Sequence, residues 1–290
     1  MTSTVTRSCP STSSGPTSAS DPSGGGAVRR GRRPLRRLTR SPRPRNSPGH
    51  RAVVARRRKY AHASILEGPD MKIGIIGAGN IGGNLTRRLT ALGHDVSVAN
   101  SRGPETLKEL AEETGARPVR VEEAANGAEV VVVTVPLKAV PDLPSGLLDG
   151  AADGAAVIDT GNYYPQQRDG RIAGIEDDGL TESRWTERHL GHPVVKAFNG
   201  TYAQDILERP RPAGDPERMA LPVAGDDAAA KAKVRALIEE LGFDTVDSGG
   251  IDDSWRQQPG TPVYGLREGV DAVKQALTAA SPERPADFRG

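Results

Sequence analysis

The chain has 290 residues, 26% of them charged but only 3% aromatic, and a formal net charge of +2. That total hides two unlike parts: residues 1–70 carry fifteen Arg or Lys against three acids, or +12, and the other 220 carry 24 basic against 34 acidic residues, or −10. Cys9 is the single cysteine and no apolar run reaches the roughly 18 residues that would span a bilayer, so a disulfide framework, a thiolate metal cluster and a membrane span are excluded and a cytoplasmic location is expected.

Residues 1–70 are predicted to be a disordered basic tail, because the Arg/Pro/Gly/Ser-rich stretch Arg29–Arg58 cannot bury enough apolar surface to offset its ordering entropy. Three readings of it stand side by side. It could be a phosphate-attracted arm, although the stretch has no aromatic residue for base stacking, or an Arg-rich transit peptide, which its Pro and Gly density opposes. The favoured one is a start called too early, with translation beginning at Met71, where composition changes and the first strand begins. A nucleic-acid partner is therefore not expected beyond the tail.

From Lys72 to Ile76 a short β-branched apolar run reads as a central parallel strand covered on both faces. Gly77, Gly79 and Gly82 follow in the spacing G-x-G-x-x-G. The first allows a tight turn, the second lets a pyrophosphate approach the backbone, and the third lets helix and strand pack closely. A helix is predicted over Asn80–Leu92, with Ile81, Leu85, Leu89 and Leu92 on one face and Gly93 as its stop. Asp95–Ala99 then supplies the second strand at the distance a βαβ unit requires. An acid at its end would select NAD, whereas this chain has Asn100-Ser101-Arg102. Arg102 and Ser101 can donate to a 2′-phosphate and Asn100 to ribose or phosphate, so NADP is predicted.

Further strands are predicted at Glu129–Thr134, Ala155–Asp159, His192–Ala197, Met219–Ala224 and Phe243–Asp247, with helices over Asp227–Leu241 and Gly265–Ala279. The fold expected is α/β, a doubly wound Rossmann-type parallel sheet over residues 71–264 with a small C-terminal helical extension over 265–290. The last two strands are taken to complete the second half of that one sheet. Val135, just after a strand end, should face the nicotinamide half, and the loops holding Asn162 and Asn199 should line the same crevice. Lys196, Asn199 and Asn162 are the polar residues best placed to orient a bound amide, carbonyl or ring, and Lys196 could donate a proton if desolvated. His189 and His192 have a spacing seen in metal sites, but Gly191 and Pro193 break the helix that would align them, so no metal is expected. The restrained segment Ser254–Tyr264 suits either substrate contact or packing at an interface.

Taken together, Gly77-Ala78-Gly79-Asn80-Ile81-Gly82, Asn100-Ser101-Arg102 and Val194-Val195-Lys196-Ala197-Phe198-Asn199 resemble the coenzyme-F420-dependent NADP oxidoreductase family, over about residues 71–264. The resemblance implies NADP(H) in the glycine crevice and direct hydride exchange with the deazaflavin ring of F420, in a homodimer. It also implies roles by position: Gly79, Asn80 and Ile81 around the pyrophosphate, Ser101 and Arg102 around the 2′-phosphate, Val135 and Pro136 beside the nicotinamide. Two alternatives remain open: reduction of a small carbonyl, imine or other acceptor, with Lys196 or Tyr163 as proton donor, and a non-catalytic NADP-binding module.

Overall fold

Val130-Val131-Val132-Val133 has no polar alternation, and the computed structural model, which describes residues 70–290, shows why: Val130 and Val132 enter one core layer and Val131 and Val133 the opposite one. The expectations for the basic tail lie outside the described residues.

In chain order the elements are β1 (Lys72–Ile76), α1 (Asn80–Leu92), β2 (Asp95–Ala99), α2 (Lys108–Thr114), β3 (Arg117–Pro118), β4 (Val130–Val133), β5 (Ala156–Asp159), α3 (Ala173–Glu176), α4 (Glu182–Leu190), β6 (Val195–Lys196), α5 (Ala203–Glu208), β7 (Ala220–Val223), α6 (Ala228–Glu240), β8 (Asp244–Asp247) and α7 (Val270–Ala279). The first six strands form one sheet in the order β3-β2-β1-β4-β5-β6, with every pairing parallel. This is the doubly wound Rossmann order, whose ligand crevice lies where the order reverses, between β1 and β4. α1 ends as expected, with Gly93 left-handed at φ 102. α6 starts on Asp227, whose carboxylate accepts the Ala229 and Ala230 amides at 2.8 and 3.0 Å.

The second half of the sheet departs from expectation. β7 and β8 form their own two-stranded parallel sheet, joined to β6 by a single antiparallel bridge in which Lys196 and Ala224 exchange both backbone hydrogen bonds, 2.8 and 3.1 Å. The next pair of the same kind would set residue 198 against residue 222. Pro222 has no N–H to give, and Phe198 turns away at φ 62, so the ladder stops. β6 is likewise shorter than predicted, beginning after Pro193.

The last helix also begins later than Gly265. The Glu268 carbonyl accepts the Ala220 amide at 2.9 Å, which keeps residues before Gly269 running beside β7. α7 then buries Val273 and Leu277 against Ala220, Val246 and Val263 and so covers the small sheet.

Candidate functional site: the glycine crevice and the edge of β5 and β6

The three glycines of the phosphate turn meet different constraints. Gly77 sits at φ 110, where a Cβ would lie 2.3 Å from the Thr134 carbonyl oxygen. At Gly82 a Cβ would lie 1.9 Å from the carbonyl oxygen of Gly77. At Gly79 a Cβ would meet nothing within 4 Å, and the backbone there is extended. No side chain caps α1 at that residue and its first turn carries no acid, so its amides and the positive end of its dipole face open space. The protein leaves a cradle at Gly79 that a side chain would fill, as a bound pyrophosphate requires.

That cradle opens into a cavity of about 660 Å³. It brings together Gly77, Gly79, Asn100, Ser101, Arg102, Val135 and Pro136, with Val121, Leu143 and Pro144 as an apolar wall that the sequence did not single out. Asn80 lines an adjoining cavity of about 630 Å³ that shares Gly79 and Arg102 with the first. Ile81 packs towards the core and Gly82 is buried. Neither lines these two cavities. Ser101 and Arg102 are exposed. The Asn100 side chain is spent on its own loop: Oδ1 accepts the Arg102 amide at 2.9 Å and Nδ2 donates to the Thr106 hydroxyl at 2.9 Å. Its part in the crevice is to shape the turn that presents Ser101 and Arg102.

Asn162 and Asn199 stand apart from that cavity, at the C-terminal ends of β5 and β6. They are tied to each other, Asn199 Nδ2 donating to Asn162 Oδ1 at 3.0 Å and Asn162 Nδ2 to the Asn199 carbonyl at 2.8 Å. Asn199 is also tied to Gln257, whose carbonyl accepts from Asn199 Nδ2 at 2.7 Å and whose Nε2 donates to Asn199 Oδ1 at 3.1 Å. The restrained segment noted in the sequence is thus the third wall of this edge. Beside it Tyr164 and Tyr264 touch hydroxyl to hydroxyl, and burial, with the Tyr164 hydroxyl second, pushes Tyr264 well above the ordinary tyrosine value. Tyr202 is 54% exposed, with the Arg267 guanidinium 4.4 Å over its ring.

Lys196 is placed differently from a proton donor facing a crevice. Its side chain is 1% exposed and its ammonium donates to Glu182 Oε2 and to the Gly161 carbonyl, each at 3.0 Å. Arg284 reaches the other oxygen of Glu182, also at 3.0 Å. Burial alone would raise the Glu182 carboxyl, but the charges of Lys196 and Arg284 outweigh it and hold the group below its ordinary value. Neither Glu182 nor Arg284 was legible as a site residue, because their contacts join positions 14 and 102 residues apart.

A family model described as NADP oxidoreductase, coenzyme F420-dependent, matches residues 72–163. A hypothetical protein from Sinorhizobium meliloti is 29% identical with a TM-score of 0.58, covering 70% of this chain and 97% of that one. A protein from Arthrobacter sp. FB24, provisionally described as an F420-dependent NADP-reductase, is 26% identical with a TM-score of 0.51, covering 62% and 86%. The metalloreductase STEAP3 of Rattus norvegicus is 29% identical over 201 residues, 69% of this chain and 38% of its own length. The chain spans 39% or less of the length of each curated relative it matches.

Gly82→Ala should unfold at a markedly lower temperature, its overpacking costing about 3 kcal/mol or more, whereas Gly79→Ala should melt like the parent and lose NADPH affinity in a fluorescence titration. Glu182→Gln should destabilise the fold by about 3–5 kcal/mol at neutral pH, since it leaves buried cations unpaired. A depressed carboxyl contributes stability that is present above its ordinary value of 4.5 and lost as pH falls through the lower folded value. The difference between the two proteins in denaturant titrations should therefore narrow on acidification.

Proposed function

We propose that this chain transfers a hydride between NADP(H) and an acceptor seated at the ends of β5 and β6, with the deazaflavin F420 as that acceptor; the match of residues 72–163 to the family model of coenzyme-F420-dependent NADP oxidoreductases supports this reading. The observation that carries the cofactor half is the open backbone at Gly79, where a Cβ would meet nothing within 4 Å, with Arg102 beside it and no acid at the end of β2. Gly77 and Gly82 would fix the turn, the first amides of α1 would hold the pyrophosphate, and Arg102 with Ser101 would hold the 2′-phosphate. Val135 and Pro136 would lie along the nicotinamide half. NADPH, when bound, supplies the hydride.

Support for the acceptor half comes from what the edge offers and what it withholds. The exposed Tyr202 ring under Arg267, with the Tyr164–Tyr264 hydroxyl pair in the loops beside it, suits a planar heteroaromatic acceptor. The two proton donors that a small carbonyl or imine would call for are engaged elsewhere. Lys196 is locked to Glu182, and Tyr163 is buried, its hydroxyl accepting the Ile172 amide at 3.0 Å and its ring lying under Arg284. Hydride exchange with a deazaflavin is mainly a matter of positioning and needs no obligatory side-chain acid.

The test is NADPH oxidation followed by absorbance with F420 beside a panel of carbonyl, imine and flavin acceptors. Turnover with F420 is expected. Turnover with another member of the panel alone would reassign the acceptor, and a chain that binds NADPH without oxidising it would be a sensing module. In the same assay Arg102→Ala should raise the KM for NADPH by about tenfold to a hundredfold and leave that for NADH unchanged, as loss of a charge-assisted phosphate contact demands.

A further inference from the structure

The segment after α7 does not lie idle on the surface. Residues 282–290 pass between the loop that follows β5 and the loop that carries Gln257. Gln166 Nε2 donates to the Ala286 carbonyl at 3.1 Å, Phe288 packs 6.2 Å from the Tyr164 ring, and Gln258 Nε2 donates to the Pro282 carbonyl at 3.4 Å. From this segment Arg284 enters a buried charge cluster: Arg284 to Glu182, Glu182 to Lys196, and Lys196 to the Gly161 carbonyl, each step 3.0 Å. Asp159 holds the same glycine from its other side, nearly inaccessible, accepting the Gly161 amide at 2.9 Å and the Ser183 hydroxyl at 2.6 Å.

Such a cluster is a poor way to stabilise a fold, since apolar residues of equal volume often serve as well or better than buried ion pairs. Its position points to another purpose. The chain of contacts ends on Gly161, the residue before Asn162, and the Lys196 carbonyl accepts Gln257 Nε2 at 3.3 Å, the same amide that binds Asn199. Between Lys196 and Asn199 lies Phe198 at φ 62, a strained conformation for a non-glycine residue that persists only where its surroundings hold it.

We propose that Arg284 is a positioning residue for the acceptor edge: acting through Glu182 and Lys196, it holds the Gly161 carbonyl and with it the Asn162–Asn199 pair. Only the kinetic part of its test rests on the hydride-transfer reading above. Arg284 is 12% exposed and lines an open cavity of about 540 Å³, so a small cation can reach the place its guanidinium leaves.

The experiment compares the full chain with Arg284→Ala and Arg284→Lys by hydrogen–deuterium exchange, NADPH titration and acceptor kinetics, with and without low, non-denaturing guanidinium. In Arg284→Ala, exchange should rise in segments 160–164 and 198–201 and stay unchanged in β1 and α1, with NADPH affinity preserved. Acceptor kcat/KM should fall about tenfold or more, equivalent to about 1.4 kcal/mol. Guanidinium should restore both the protection and the rate, and Arg284→Lys should lie between the parent and Arg284→Ala. Unchanged exchange in both loops, or an even rise across the molecule that guanidinium does not reverse, would overturn the proposal. If Arg284→Ala does not fold, Arg284→Lys decides by the same two segments. A parent chain that turns over no acceptor would remove the hydride-transfer reading and leave the exchange measurement to judge Arg284.

Discussion

At Gly82 the first turn of α1 passes so close to the Gly77 carbonyl that a single added carbon would sit 1.9 Å from its oxygen. The rest of the site depends on that approach. It fixes where α1 starts, hence where its unpaired amides point, and it aims them over the ends of β1 and β4, where the sheet order reverses. Gly79 can then stand open, because its neighbours already hold the turn. Two of the three glycines are needed by the protein itself, and one leaves room for the ligand.

The ends of β5 and β6 are organised by a different force. There the backbone is irregular, with Phe198 left-handed and the ladder to β7 broken after one bridge, and side-chain amides and buried charges do what strand pairing cannot. Asn162, Asn199 and Gln257 satisfy one another and the surrounding carbonyls, while Glu182 bridges the Lys196 and Arg284 cations beneath them. The glycine crevice is thus built from steric constraints on backbone, and the other half from a polar network that three distant loops must close together.

That contrast explains how far each half could be read in advance. The strand-turn-helix unit is local: its strand pattern, its glycine spacing and the missing acid after Ala99 all fall within thirty-odd residues, and α1 runs over the predicted Asn80–Leu92. Seven of the proposed cofactor residues meet in one cavity because consecutive parallel strands deliver their ends to the same edge. Asn100 was recognised by position, but its engagement with Thr106 depends on loop conformation that residue types do not encode. Lys196 was marked as a polar residue at a strand end, and nothing nearby in the chain announced Glu182 or Arg284 as its partners.

The sequence by itself determined the parallel α/β fold and the phosphate turn, which follow from short-range periodicity and the sterics of individual glycines, and made NADP the cofactor to expect through Asn100-Ser101-Arg102. Only the tertiary structure decided that β7 and β8 form a separate sheet, because that turns on the register of the Lys196–Ala224 bridge, whose continuation would need a pair between Phe198 and Pro222 that neither backbone can make, and no local pattern reveals that register. It also decided that Lys196 is an ion-paired strut. Whether a lysine at a strand end is free or bound depends on which charges the chain folds back against it, and here one of them arrives from a segment near residue 284.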